Sequence, residues 1–213
     1  MIPVKNTLSI KFPFATTALI IFCIIVFFAI GDRTIDYALV PLDFFHALFH
    51  PSKEKTPQTA LTLLTAFFMH ANLFHLLSNV WFLKIFGGAV ESKIRILPFL
   101  FAYFLCGLLS VFIQALSSPF STVPVVGASG AIAGVMGMHL IFFPFSRLIV
   151  FFPPIFLFKI PAFLYLIPWF WIQYINIGKS SPDIGGIAWY AHASGFIAGI
   201  LFSVYYTTKK EKR

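Results

Sequence analysis

Long apolar runs alternate along the chain with short polar breaks, and the runs have the length of membrane spans rather than of core strands. Crossing a bilayer takes about 20 predominantly apolar residues, with about 17 as the floor. Six segments satisfy this: 14–30, 61–83, 96–116, 125–143, 160–177 and 187–206. The stretch 144–159 is apolar too, but Pro144, Pro153 and Pro154, with Arg147 and Lys159, make it a poor span. It is expected to be a connection lying in the interface. No repeat of about 20 to 50 residues and no low-complexity linker divides the chain. The pattern therefore predicts an all-α, polytopic membrane protein with one domain over 1–213. Its first span is followed by a long outer loop at 31–60, spans two to six over 61–206, and a short basic tail at 207–213.

Composition supports that reading. Of the 213 residues, 59% are hydrophobic and only 10% charged, with a mean hydropathy of +0.91; soluble domains are about 25% charged. The net charge of +8 does not point to nucleic acid, because the Lys and Arg residues are scattered between apolar runs and form no basic stripe. It sets topology instead. Six spans place both termini on one side, whose connections carry Lys5, Lys11, Lys84, Lys93, Arg95, Arg147, Lys159, Lys209, Lys210, Lys212 and Arg213, against Arg33, Lys53, Lys55 and Lys179 opposite. The positive-inside rule then makes both termini cytoplasmic. The acids Asp32, Asp36, Asp43, Glu54 and Asp183 fall on the other side. The run 14–30 is long for a signal peptide and lacks a cleavage site, so it is expected to remain as an anchor. Cys23 and Cys106, both within apolar runs, read as packing residues. A short chain with a positive cytoplasmic side fits a prokaryotic plasma membrane.

Candidate chemistry sits in TVPVVGASGAIAGVMG, residues 122–137, where Ser129 is placed about one turn inside the outer end of the fourth span. The sixth span runs the same way and puts His192 at a similar depth. The second carries His75 and Asn79 at i and i+4, on one helix face. Gly130, Gly134 and Gly137 leave one face of the fourth span nearly bare, and Gly195 and Gly199 do the same for the sixth. Two bare faces pack closely and would bring the Ser129 hydroxyl within reach of the His192 imidazole, the pairing that activates a serine nucleophile. Taken singly, Ser129 reads as helix glue, and His192 reads equally as an interfacial or a functional residue. A metal is not expected, since His70 and His75 do not share a helix face and no third ligand completes the set. His139 reads as structural, and Glu91, among Lys84, Lys93 and Arg95, as a cytoplasmic ion-pair partner.

In this order the motifs resemble those of the rhomboid family of intramembrane serine proteases. The matching elements are HANLFHLLSN (His70, His75, Asn79), GGAVE ending at Glu91, GASGAIAG with Gly127 and Ser129, and AHASGFIAG with His192. The resemblance covers the chain from about Thr62 to its end. It implies a six-helix bundle with a Ser–His dyad opening to a water-filled cavity on the outer side. Ser129 would be the nucleophile and His192 the general base, with the oxyanion held by His75, Asn79 and the Ser129 backbone N–H. His70, Glu91, Gly127, Gly130, Gly134, Gly195 and Gly199 would be supporting residues. No cofactor, metal or nucleic acid is implied. The partners would be the lipid bilayer and transmembrane protein substrates, cleaved after a small residue in helices that unwind easily.

Two positions depart from the family pattern. Where some relatives carry a tyrosine that stacks on the histidine, this chain has Ala133, so His192 is expected to be oriented by Trp189 or Tyr190. The first loop lacks the Trp–Arg pair of many relatives and offers Phe44, Phe45, Leu48 and Phe49 as an amphipathic piece lying in the interface. A transporter would place ionisable groups in mid-span, often with inverted repeats, and a silent relative would lack the Ser or the His. The chain fits neither.

Overall fold

A computed structural model of the chain describes residues 1–8, 11–51, 56–154, 156–179 and 186–211. Lys53, Glu54, Lys55, Asp183, Lys212 and Arg213, all used in the charge argument, lie outside the described residues. In chain order the elements are β1 (Ile2–Asn6), α1 (Phe14–Ile30), α2 (Pro41–Phe49), α3 (Thr56–Thr65), α4 (Leu73–Ile94), α5 (Ile96–Ser117), α6 (Ser129–Phe142), β2 (Arg147–Phe152), β3 (Phe156–Pro161), α7 (Ala162–Ile175) and α8 (Trp189–Glu211), with 3-10 turns at Gly31–Tyr37 and Ala66–Phe68. Among the described residues, the helices at Phe14–Tyr37, Leu73–Ile94 and Ile96–Ser117 are long and apolar enough to cross a membrane.

The first and third predicted spans coincide with α1 and α5. The second does not: the run 61–83 divides into α3, a 3-10 turn and a fresh helix beginning at Leu73. The Asn72 side chain marks the break, accepting a hydrogen bond from His75 N at 2.8 Å and capping α4. The apolar residues before it serve a different purpose. Ala66 and Phe67 are buried, and the Phe67 ring packs against Gly107 of α5.

The all-α expectation also needs correction, because residues 144–159 are not a plain connection. β2 and β3 form an antiparallel hairpin, and β1 pairs with β2, in the sheet order β1-β2-β3. Arg147-Leu-Ile-Val-Phe-Phe is rich in β-branched and aromatic residues, which suit a strand as well as lipid. Leu148 and Val150 turn into the core while Arg147 and Phe152 stay exposed. The sheet is tied to α4 by the Trp81 Nε1–H, which donates to Pro3 O at 2.7 Å.

Glu91 is not an ion-pair partner. It is buried, and its carboxylate accepts from Ala15 N (2.9 Å), Thr16 N (2.8 Å) and Thr16 Oγ1 (2.7 Å). Those backbone groups belong to the first turn of α1, where no helical carbonyl can serve them. An acid at a helix N-terminus also meets the positive end of the dipole. Glu91 thus fastens α1 to α4. His139 is buried as a structural residue, its Nε2 lying 3.0 Å from Ser146 Oγ and 3.5 Å from Asn6 Nδ2.

The core lies where α6 is enclosed by α4, α5 and α8. Cys23 and Cys106 are buried and free. In the first loop, α2 buries Phe44 but leaves Leu48 and Phe49 exposed, so only one face of the amphipathic piece is used for packing. α4, α6 and α8 run parallel, with their N-termini at one end of the molecule, opposite the sheet. Close contacts in register set this arrangement: a β-carbon on Gly195 would strike Gly130 O, one on Gly199 would strike Gly134 O, and one on Gly137 would strike Phe196 O.

Candidate active site

The segment leading into α6 is extended and held at two places. Leu39 and Val125 exchange backbone hydrogen bonds of 3.2 and 2.8 Å, and Gly127 N donates to Ala66 O at 2.8 Å. Gly127 then turns with φ +112°, a conformation L side chains rarely adopt. The helix starts directly afterwards, so Ser129 is its first residue and not one turn inside it. The ladder opens with Ile132 N donating to Ala128 O at 2.9 Å. The Ser129 N–H therefore stays free of the ladder at the positive end of the helix. With 14 residues α6 rises about 21 Å, less than the roughly 30 Å of bilayer hydrocarbon.

The first two turns of α4 face this helix end. A β-carbon on Gly127 would lie 2.7 Å from His75 Nε2 and 3.5 Å from Asn79 Nδ2, so both nitrogens point at the backbone two residues before Ser129. Asn79 is buried and its Nδ2 has no hydrogen-bond partner. A buried donor without a partner is costly and rare. The neighbouring His70 packs its ring 5.2 Å from that of His75, and its Nδ1 bonds Phe68 O at 3.1 Å. Burial, reinforced by His75, holds its pKa down to about 4, so the ring is neutral at pH 7.

His192 lies in the first turn of α8, whose Ala191 N donates to Gln114 Oε1 at 3.2 Å. Gly130, next to Ser129, packs on Ala191, next to His192. The close approach expected of the two glycine faces is present, and both side chains are half-buried beside it. The hydroxyl and the imidazole are not hydrogen-bonded to each other in this structure. His192 Nδ1 is engaged instead by Gln173 Oε1 of α7 at 2.8 Å, and the Trp169 ring lies 6.0 Å from the imidazole at an interplanar angle of 31°. The side chains that engage the His192 ring thus come from α7, where Trp189 or Tyr190 was expected. Sequence reasoning passed over Gln173, although a lone amide in the run WFWIQYI carries a signal: in an apolar setting it needs a partner.

A cavity of about 570 Å³ opens between the end of α1 and this cluster, lined by Phe27, Gly31, Asp32, His70, Ala71 and Val126. It reaches the residue preceding Gly127. No group of three metal-ligating side chains occurs among the described residues. The cluster thus offers a hydroxyl at a helix N-terminus, an unpaired amide donor and an imidazole beside it, and a second imidazole with one nitrogen already engaged. These are the parts acyl transfer requires.

Among curated proteins no sequence matches the chain. The family profile described as the Rhomboid domain matches residues 57–209, well over half of it. That domain denotes an integral, multi-pass membrane protein with intramembrane serine protease activity, and the helices apolar enough to cross a bilayer agree. The chain belongs to the rhomboid family.

Proposed function

We propose that the protein is an intramembrane serine endopeptidase that cleaves transmembrane segments of other membrane proteins. Ser129 Oγ attacks the scissile carbonyl while His192 Nε2 takes its proton. The oxyanion is received by Asn79 Nδ2, the His75 Nε2–H and the Ser129 N–H. His192 then gives the proton to the leaving amine, and a water activated by the same nitrogen hydrolyses the acyl-enzyme. The observation that carries this reading is the convergence of His75 Nε2 and of Asn79 Nδ2, which has no hydrogen-bond partner, on the backbone just ahead of Ser129. Serine–base hydrogen bonds are often loose without substrate and tighten in its complex. An unwound substrate segment is required, because a helix hides its carbonyls.

In this reading six segments span the bilayer, α1 and α4 to α8, with both termini cytoplasmic in a prokaryotic plasma membrane. The site then opens outward, and the cavity beside His70 admits water. The test is labelling of the purified protein in detergent with a fluorophosphonate, beside Ser129→Ala and His192→Ala. Labelling of the wild type that both substitutions abolish is expected. Labelling that survives in folded Ser129→Ala would sink the dyad.

A further inference from the structure

We infer that Gln173 is the positioning residue of the dyad, fixing the tautomer and the direction of His192; this rests on the serine-protease reading above. Gln173 is 5% exposed on a helix otherwise made of apolar and aromatic residues. Its amide has one consistent orientation. Nε2 donates to Trp169 O one turn back, at 3.1 Å, so Oε1 is the atom facing His192 Nδ1 at 2.8 Å. Turning the amide over would set two oxygens together with no proton between them. The amide oxygen only accepts, and therefore Nδ1 carries the hydrogen.

In the neutral ring this leaves the lone pair on Nε2, the nitrogen that must accept the serine proton. When the proton arrives, the same carbonyl dipole stabilises the imidazolium. An amide does this without burying a negative charge next to lipid, where an unpaired carboxylate would be costly. Trp169, four residues before Gln173 on the same face of α7, bounds one face of the ring. Among the described residues, His75 of α4 is the titratable group that interacts electrostatically with His192. Gln114 of α5, which accepts from Ala191 N, and Ser129 of α6, beside Gly130, do not titrate near neutral pH.

Two substitutions test the assignment in the intact protein. Gln173→Met keeps the volume and removes the acceptor; Gln173→Glu keeps the acceptor and adds charge. The readouts are the fluorophosphonate labelling rate of Ser129 and its pH profile, with thermal unfolding measured in parallel. Gln173→Met is expected to slow labelling about 10- to 100-fold, by analogy with the cost of losing the partner that orients a metal-bound imidazole. Its acid limb is expected to move to lower pH, because the imidazolium loses its acceptor, while Gln173→Glu moves the limb to higher pH. A folded Gln173→Met protein with an unchanged rate, or with a slower rate and an unmoved limb, would overturn the positioning role; so the Met variant decides even if the Glu variant fails to fold. A wild type that does not label would sink the serine nucleophile itself, a separate outcome.

Discussion

The carbonyl oxygen of Gly130 occupies the place a β-carbon on Gly195 would need, so α6 and α8 meet backbone to backbone one residue from Ser129. This contact, repeated a turn later between Gly134 and Gly199, makes helix spacing a determinant of the proposed dyad. Any side chain inserted there pushes Ser129 away from His192.

Gly199→Val should therefore reduce thermal stability in detergent, since overpacking a tight core costs about 1–3 kcal/mol. A wild-type unfolding temperature for this variant would rule out the contact.

Gly127→Ala acts differently. Its β-carbon would meet the His75 ring at 2.7 Å on a residue held at φ +112°. Strain of about 1–3 kcal/mol is expected. Displacement of His75 should lower the cleavage rate by about 10², the scale of a 1 Å misplacement. A rate unchanged in single-turnover kinetics would show that the ring position is unimportant.

Asn79→Ala removes the buried, unpartnered donor. The protein should fold normally, because no bond is lost in the resting state. If Asn79 serves the oxyanion as proposed, the acylation rate should fall by about 10² to 10³, the usual cost of losing such a donor. Equal loss of rate and of stability would instead mark Asn79 as a packing residue.

Glu91→Ala leaves two backbone N–H groups and the Thr16 hydroxyl without their acceptor. Each orphaned buried donor costs about 1–3 kcal/mol, so a large fall in unfolding temperature is expected, with Glu91→Gln intermediate. The effect should be insensitive to salt, because the site is buried. A wild-type-like variant whose stability followed ionic strength would restore the surface ion pair.

Residues carrying a chemical requirement of their own were legible before any fold was known. Ser129, His192, His75 and Asn79 stand out because polar groups in apolar helices need a reason, and the glycines beside them mark helices that approach. The boundary of α4 was not legible, since hydropathy averages over a window and cannot see that the Asn72 side chain caps a new helix. The sheet escaped for a related reason: lipid and strand pairing favour the same Val, Ile and Phe residues. Glu91 was misread because its partners are backbone N–H groups on α1, which have no signature in residue type.

By itself, then, the sequence determined that the chain is a membrane protein, which polar side chains fall inside apolar helices, and which helix faces are bare enough to touch. Only the tertiary structure decided that Ser129 opens α6, that Glu91 caps α1 from 75 residues away, and that Gln173, not a neighbour in sequence, engages His192. Composition and local spacing report what each residue needs, but the partner that satisfies a buried donor is set by which helices pack together, a non-local choice made by the whole chain.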